Sequence, residues 1–102
     1  MTTEVVTFRG TSEEIGFQHG SQFKSQIAGC IDFYRRIFCL PEDEIFEWAS
    51  KYKAKVQETF PDYVIEMDSI AKGASVDERW IYALNARSEI MDIGVLHKTK
   101  EN

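Results

Sequence analysis

The sequence predicts a mainly helical α+β chain, with about four helices and a single N-terminal strand. Two capping-box patterns each open a stretch with helical hydrophobic spacing. Pro41 and Pro61 punctuate the region between those stretches. The third observation is a lone β-branched run ahead of all of this, with no second strand-like run to pair with it.

That run is Glu4-Val5-Val6-Thr7-Phe8, stopped by Gly10. A lone strand leaves its backbone N–H and C=O groups without partners. Either another polypeptide pairs with it, or residues 1–9 form an extended arm over a helical domain. Periodicity alone leaves both readings open.

Thr11-Ser12-Glu13-Glu14 fits a capping box, in which the Thr11 hydroxyl accepts from the Glu14 N–H and the Glu14 carboxylate reaches back. Ile15, Phe23, Ile27, Ile31, Tyr34 and Phe38 continue at helical spacing, which predicts one long helix from Ser12 to about Phe38, ended by Pro41. The second helix starts at Glu42 with an acidic first turn suited to the helix dipole. It carries Ile45, Trp48, Ala49, Tyr52 and Val56 on one face and ends at Phe60-Pro61. Pro61 suits the first turn of a third helix bearing Tyr63, Val64, Met67, Ile70 and Ala71, with Gly73 as its stop. Ser75-Val76-Asp77-Glu78 reads as another capping box. It opens a fourth helix through Trp80, Ile81, Leu84, Ile90 and Met91 towards Gly94, and residues 95–102 form a polar tail.

Composition narrows the classes of function. The 102 residues are 43% hydrophobic, enough for one small domain over 1–102 but not two. Seventeen acidic against twelve basic side chains give a net charge of -5, and no concentrated basic face is available for nucleic acid. No apolar run approaches the roughly 20 residues that span a bilayer, and Met1 to Phe8 lacks the blocks of a signal peptide. The expectation is an intracellular, cytoplasmic chain without a membrane partner. Cys30 and Cys39 stand too far apart along a helix to bridge and are expected as free, core-filling thiols.

Several polar residues stand out. Gly16-Phe17-Gln18-His19-Gly20 places two glycines inside a helix at a cost of roughly 1 kcal/mol each relative to Ala. That cost points to close approach by another backbone, with His19 facing a partner or simply exposed. In Asn85-Ala86-Arg87-Ser88-Glu89, residues four apart share a helix face, so Asn85 and Glu89 can hydrogen-bond while Arg87 points elsewhere. His19 and His97 are remote from each other, and no carboxylate spacing demands a metal. Nor is there a defensible Ser, His and Asp relay. By itself the residue pattern describes a helical unit without visible catalysis, compatible with a self-contained interaction module.

Arg9-Gly10-Thr11, Glu14 to Gly20 and Ile31-Asp32-Phe33 carry a resemblance, continued by Phe60-Pro61-Asp62-Tyr63, Ile70 to Ala74 and Leu84 to Glu89. In this order and spacing they resemble the N-terminus of the acyl-coenzyme A:6-aminopenicillanic acid acyltransferase (isopenicillin-N acyltransferase) family. The resemblance implies the α chain of a self-cleaved N-terminal-nucleophile hydrolase, whose αββα sandwich is completed by a β chain beginning with the catalytic cysteine. It implies no catalytic residue in this chain, no cofactor, and an N-acyl or acyl-thioester substrate such as acyl-coenzyme A. Asn102 becomes the processing site, where the family's pattern has Gly. Asn85, Arg87, Glu89 and, more distantly, His19 become supports of maturation or of the active site. Higher oligomers of αβ units, and a peroxisomal location through a signal on the β chain in a fungal source, also follow from the resemblance.

Overall fold

The computed structural model describes residues 7–88, 90 and 91, and all regular structure among them is helical. The strand expected at Glu4 to Phe8 lies mostly outside the described residues, and its last two, Thr7 and Phe8, adopt no strand. The 95–102 tail and Asn102 lie outside them as well.

α1 (Ser12–Gln22) starts as expected, with the Glu14 N–H donating to Thr11 Oγ1 at 3.2 Å and the Thr11 N–H donating to Glu14 Oε1 at 3.4 Å. The single long helix does not form. Phe23 at φ -109° and ψ 26° separates α1 from α2 (Lys24–Ile37). The break is mild, since Phe23 still donates to the His19 carbonyl at 3.0 Å and accepts from Ile27 at 2.9 Å. It frees the two halves to face different neighbours: α1 lies along α4 (Pro61–Ala74), whereas α2 sends Ile31 and the fully buried Phe38 into the main core.

α3 (Glu42–Thr59) and the start of α4 follow the expected boundaries. The Pro41 carbonyl accepts from Glu44 and Ile45 at 3.1 Å each, Glu42, Asp43 and Glu44 occupy the first turn, and Pro61 opens α4. α4 does not stop at Gly73 but runs to Ala74. Ser75 terminates it in the left-handed region at φ 58° and ψ 43°. Ser75 donates to the Lys72 carbonyl at 3.2 Å and Val76 to that of Ala71 at 3.0 Å, the paired bonds of a Schellman motif. Ser75 therefore cannot cap the next helix. Asp77 does so for α5 (Glu78–Asn85), its Oδ1 accepting from the Arg79 N–H at 2.9 Å. Ala86 at φ -97° and ψ 15° interrupts the expected fourth helix, and residues 87, 88, 90 and 91 are helical again beyond it.

The core joins Phe38 to Ile45 and Ala49 of α3, Val64, Met67 and Ala71 of α4, and Trp80 to Ala83 of α5, with Ile90 closing one end. The Val, Ile, Met and Phe side chains among them stabilise by about 1.5–3 kcal/mol each when fully buried. α1 joins by other means, since its buried residues are Gly16 and Gly20. A Cβ on Gly16 would collide with the Glu66 carbonyl, and one on Gly20 with the Ile70 carbonyl. One on Gly73 would collide with the Phe17 carbonyl. The contacts advance together along both helices, so α1 and α4 run in the same direction at backbone contact. Gly73, read from sequence as a stop, is part of this close approach.

Cys30 and Cys39 are unbridged as expected, but both are exposed rather than core-filling. Neither thiol faces inward because the core side of α2 and its end is taken by Ile31 and Phe38.

Candidate functional site

The three helices of the core meet around a polar cluster. Tyr82, fully buried on α5, donates its hydroxyl to Asp68 Oδ1 at 2.7 Å, with the Val64 carbonyl at 3.2 Å. Lys53 of α3 reaches Asp68 Oδ2 at 3.4 Å and Glu78 Oε1 at 3.5 Å, and its ammonium lies 5.3 Å from the centre of the Tyr82 ring. Burial, and then the neighbouring Asp68 carboxylate, push the Tyr82 phenol far above its ordinary range, so it remains a donor. No described buried side-chain polar atom lacks a hydrogen-bond partner. The bonds within the cluster lock α3, α4 and α5 together.

A second polar array is more exposed. Arg79 grips Asp77 through Nε at 3.0 Å and Nη2 at 2.8 Å, and stacks 4.0 Å over the Phe46 ring. Phe46 meets Trp80 edge-on at 5.1 Å, and Arg35 covers Trp80 at 4.9 Å. The Arg79 hydrogen bond holds the Asp77 carboxyl below its usual range.

A groove of about 340 Å³ lies between α3, α4 and the end of α5. Tyr52 and Val56 form one wall. Tyr63, Glu66, Met67 and Ile70 form the other, with Phe60 at one end and Asn85 also lining it. Phe60 and Tyr63 meet edge-on at 5.6 Å and are each more than half exposed. Its volume falls in the range of small-molecule sites.

Of the residues singled out from sequence, Asn85 lines this groove and donates an amide hydrogen to the Ile81 carbonyl at 2.8 Å. Arg87 sits beyond the Ala86 break, exposed, with Nη1 donating to the Leu84 carbonyl at 2.8 Å. The side chain of Glu89 and all of Asn102 lie outside the described residues, so the expected Asn85–Glu89 pair does too. His19 belongs to a separate aromatic cluster on α1, its ring centre 5.6 Å from that of Phe8 and 5.3 Å from that of Phe23. The structure therefore does not bring His19 and Asn85 together. Among the described residues no three His, Cys, Asp or Glu side chains gather as a metal site, and no helix is long and apolar enough to cross a membrane.

Lys53, Asp68 and Glu66 were not singled out from sequence. For the first two a signal existed: Lys53 lies between Ala49 and Val56, and Asp68 between Val64 and Ala71, each on the apolar stripe of its helix. A charge on such a stripe needs an internal partner.

With this geometry established, the chain can be set beside known proteins. Over 88 residues it is 34% identical to the 40 kDa form of acyl-coenzyme A:6-aminopenicillanic-acid-acyltransferase from Emericella nidulans. The chain is similar to an acyltransferase. The match takes in 82% of this chain and 25% of that protein, so the chain spans about a quarter of the relative's length. No protein-family profile matches the chain.

Proposed function

We propose that this chain is the α subunit of a self-processing cysteine acyltransferase or amidohydrolase of the N-terminal-nucleophile type. The observation that carries the reading is the 34% identity to an acyltransferase over 88 residues. The spread of the shared motifs, from Arg9 to the segment around Arg87, supports it.

In this reading a precursor cuts itself on the C-terminal side of these helices, and the β chain begins with the catalytic cysteine. The cysteine α-amino group takes the thiol proton, and the thiolate attacks the carbonyl of an amide or thioester. The C–N or C–S bond breaks, the proton passes to the leaving amine or thiolate, and an acyl-enzyme remains. An amine or water then takes the acyl group. Oxyanion donors come from the β chain, and acyl-coenzyme A enters as a substrate rather than a cofactor. The present helices pack outside the sheets of an αββα sandwich that residues 4–8 extend by one strand. Asn85, Arg87 and Glu89 order the segment leading to the cut. A cytoplasmic or peroxisomal setting fits this reading.

Mass spectrometry of the full gene product tests the proposal directly. The expected result is two chains, the second starting with Cys, and more uncut precursor on a gel for Arg87→Ala. A single uncut chain, or a second chain without an N-terminal Cys, overturns it.

A further inference from the structure

We infer that the groove between α3, α4 and the end of α5 binds an organic ammonium ion with an aromatic or branched apolar body. The inference is independent of acyl transfer. Its first support is charge. Glu66 is half-buried in the groove wall, and its carboxylate has no hydrogen bond or ion pair among the described residues. Asn85 has committed an amide hydrogen to the Ile81 carbonyl, which leaves Oδ1 as an acceptor. Among the described residues no Lys or Arg lines the groove, and the one charged side chain that does is Glu66.

The second support is the nature of the walls. Tyr52, Phe60 and Tyr63 supply three aromatic rings whose faces attract a cation, and Met67 adds an adaptable apolar surface. Phe60 and Tyr63 are 57% and 55% exposed, so the rings are open to a ligand rather than consumed by the core. An anionic ligand would meet Glu66 without compensation. A purely apolar one would bury that carboxylate unpaired. A primary or quaternary ammonium on an apolar body satisfies both the carboxylate and the rings.

The test follows the Met67 and Ile70 methyl signals by NMR in the whole protein, including any accompanying chain, during titration with phenethylammonium, phenethyl alcohol and 3-phenylpropanoate. Saturable shifts at both methyls are expected with the ammonium, with binding about tenfold tighter than the alcohol, because hydrogen bonds to charged groups are the stronger class. The propanoate should bind most weakly. Glu66→Gln should bring the ammonium down to the level of the alcohol while leaving the alcohol unchanged, and Phe60→Leu should weaken both. Equal binding of the three probes, insensitivity to Glu66→Gln, or no response at either methyl overturns the inference. The last result is the one expected if another polypeptide covers the groove. The order of the three probes on the unsubstituted protein decides the matter even if a variant fails to fold.

Discussion

Replacing Gly20 by Ala places a methyl group against the Ile70 carbonyl and 2.8 Å from the Ala74 nitrogen. Both are backbone atoms of α4, so no side-chain end can swing aside and the two helices must separate. Overpacking of this kind costs about 1–3 kcal/mol, here at the upper end, while Ala in place of Gly within a helix returns about 1 kcal/mol. The net expectation is a loss of about 2 kcal/mol, or roughly 8–16 °C in melting temperature at 4–8 °C per kcal/mol. Gly29 is the internal control. It lies inside α2, and nothing stands within 4 Å of a Cβ built there. Gly29→Ala should therefore stabilise by about 1 kcal/mol through propensity alone. Thermal and urea unfolding followed by far-UV circular dichroism reads both. If the two substitutions shift the midpoint in the same direction, backbone contact between α1 and α4 is not what these glycines provide.

Three further outcomes follow from the same structure. Ser75→Gly should stabilise the fold by about 1 kcal/mol and so raise the unfolding midpoint, because Ser75 sits at φ 58° where a Cβ is disfavoured; a midpoint at or below that of the parent would contradict the Schellman assignment. Tyr82→Phe should cost about 1–3 kcal/mol in urea unfolding, since the hydroxyl bonded to Asp68 and the Val64 carbonyl is lost inside the core; a change near zero would mean that Lys53 alone satisfies Asp68. Asp77→Asn keeps a capping side chain but loses the ion pair with Arg79. The folded-state carboxyl of Asp77 is depressed, so its contribution is present above the unfolded value and fades as pH falls through the folded one. Urea midpoints measured from neutral pH down through about pH 4 to about pH 2 should show the deficit of this variant shrinking, and a constant deficit would rule the mechanism out.

Where the chain announces its elements through covalent chemistry, sequence and structure coincide. Pro41 and Pro61 fix backbone angles and remove donors, and the acidic turn from Glu42 needs no tertiary partner to be favourable, so the start of α3 and its junction with α4 are readable. Phe23 was not readable as a break because Ile15, Phe23, Ile27 and Ile31 keep their spacing across it, and a small change of dihedral leaves the apolar pattern intact. Gly73 carries two signals, a stop and a close approach, and only the position of α1 decides between them. Ser75-Val76-Asp77-Glu78 satisfies a capping pattern, yet Ser75 is already committed to ending α4 and Asp77 takes over. For the candidate site, Asn85 was visible as a polar residue in an amphipathic stretch. Glu66 was not, because its groove exists only once α3 and α5 come to stand beside α4.

The glycine contact of α1 also shapes how this segment can move. An isolated helix of 11 residues is marginal in water, and this one buries two glycines and no large side chain. Undocking and melting of α1 are therefore closely coupled: away from α4 only the Thr11–Glu14 capping box and the link through Phe23 to α2 support its helix. Amide hydrogens from about Ile15 to Gln22 should exchange as one block, with a lower opening free energy than α4, whose Val64, Met67 and Ala71 anchor it in the core. For the α1 segment, seating against α4 and keeping its helix are thus linked equilibria, and a change that favours one favours the other.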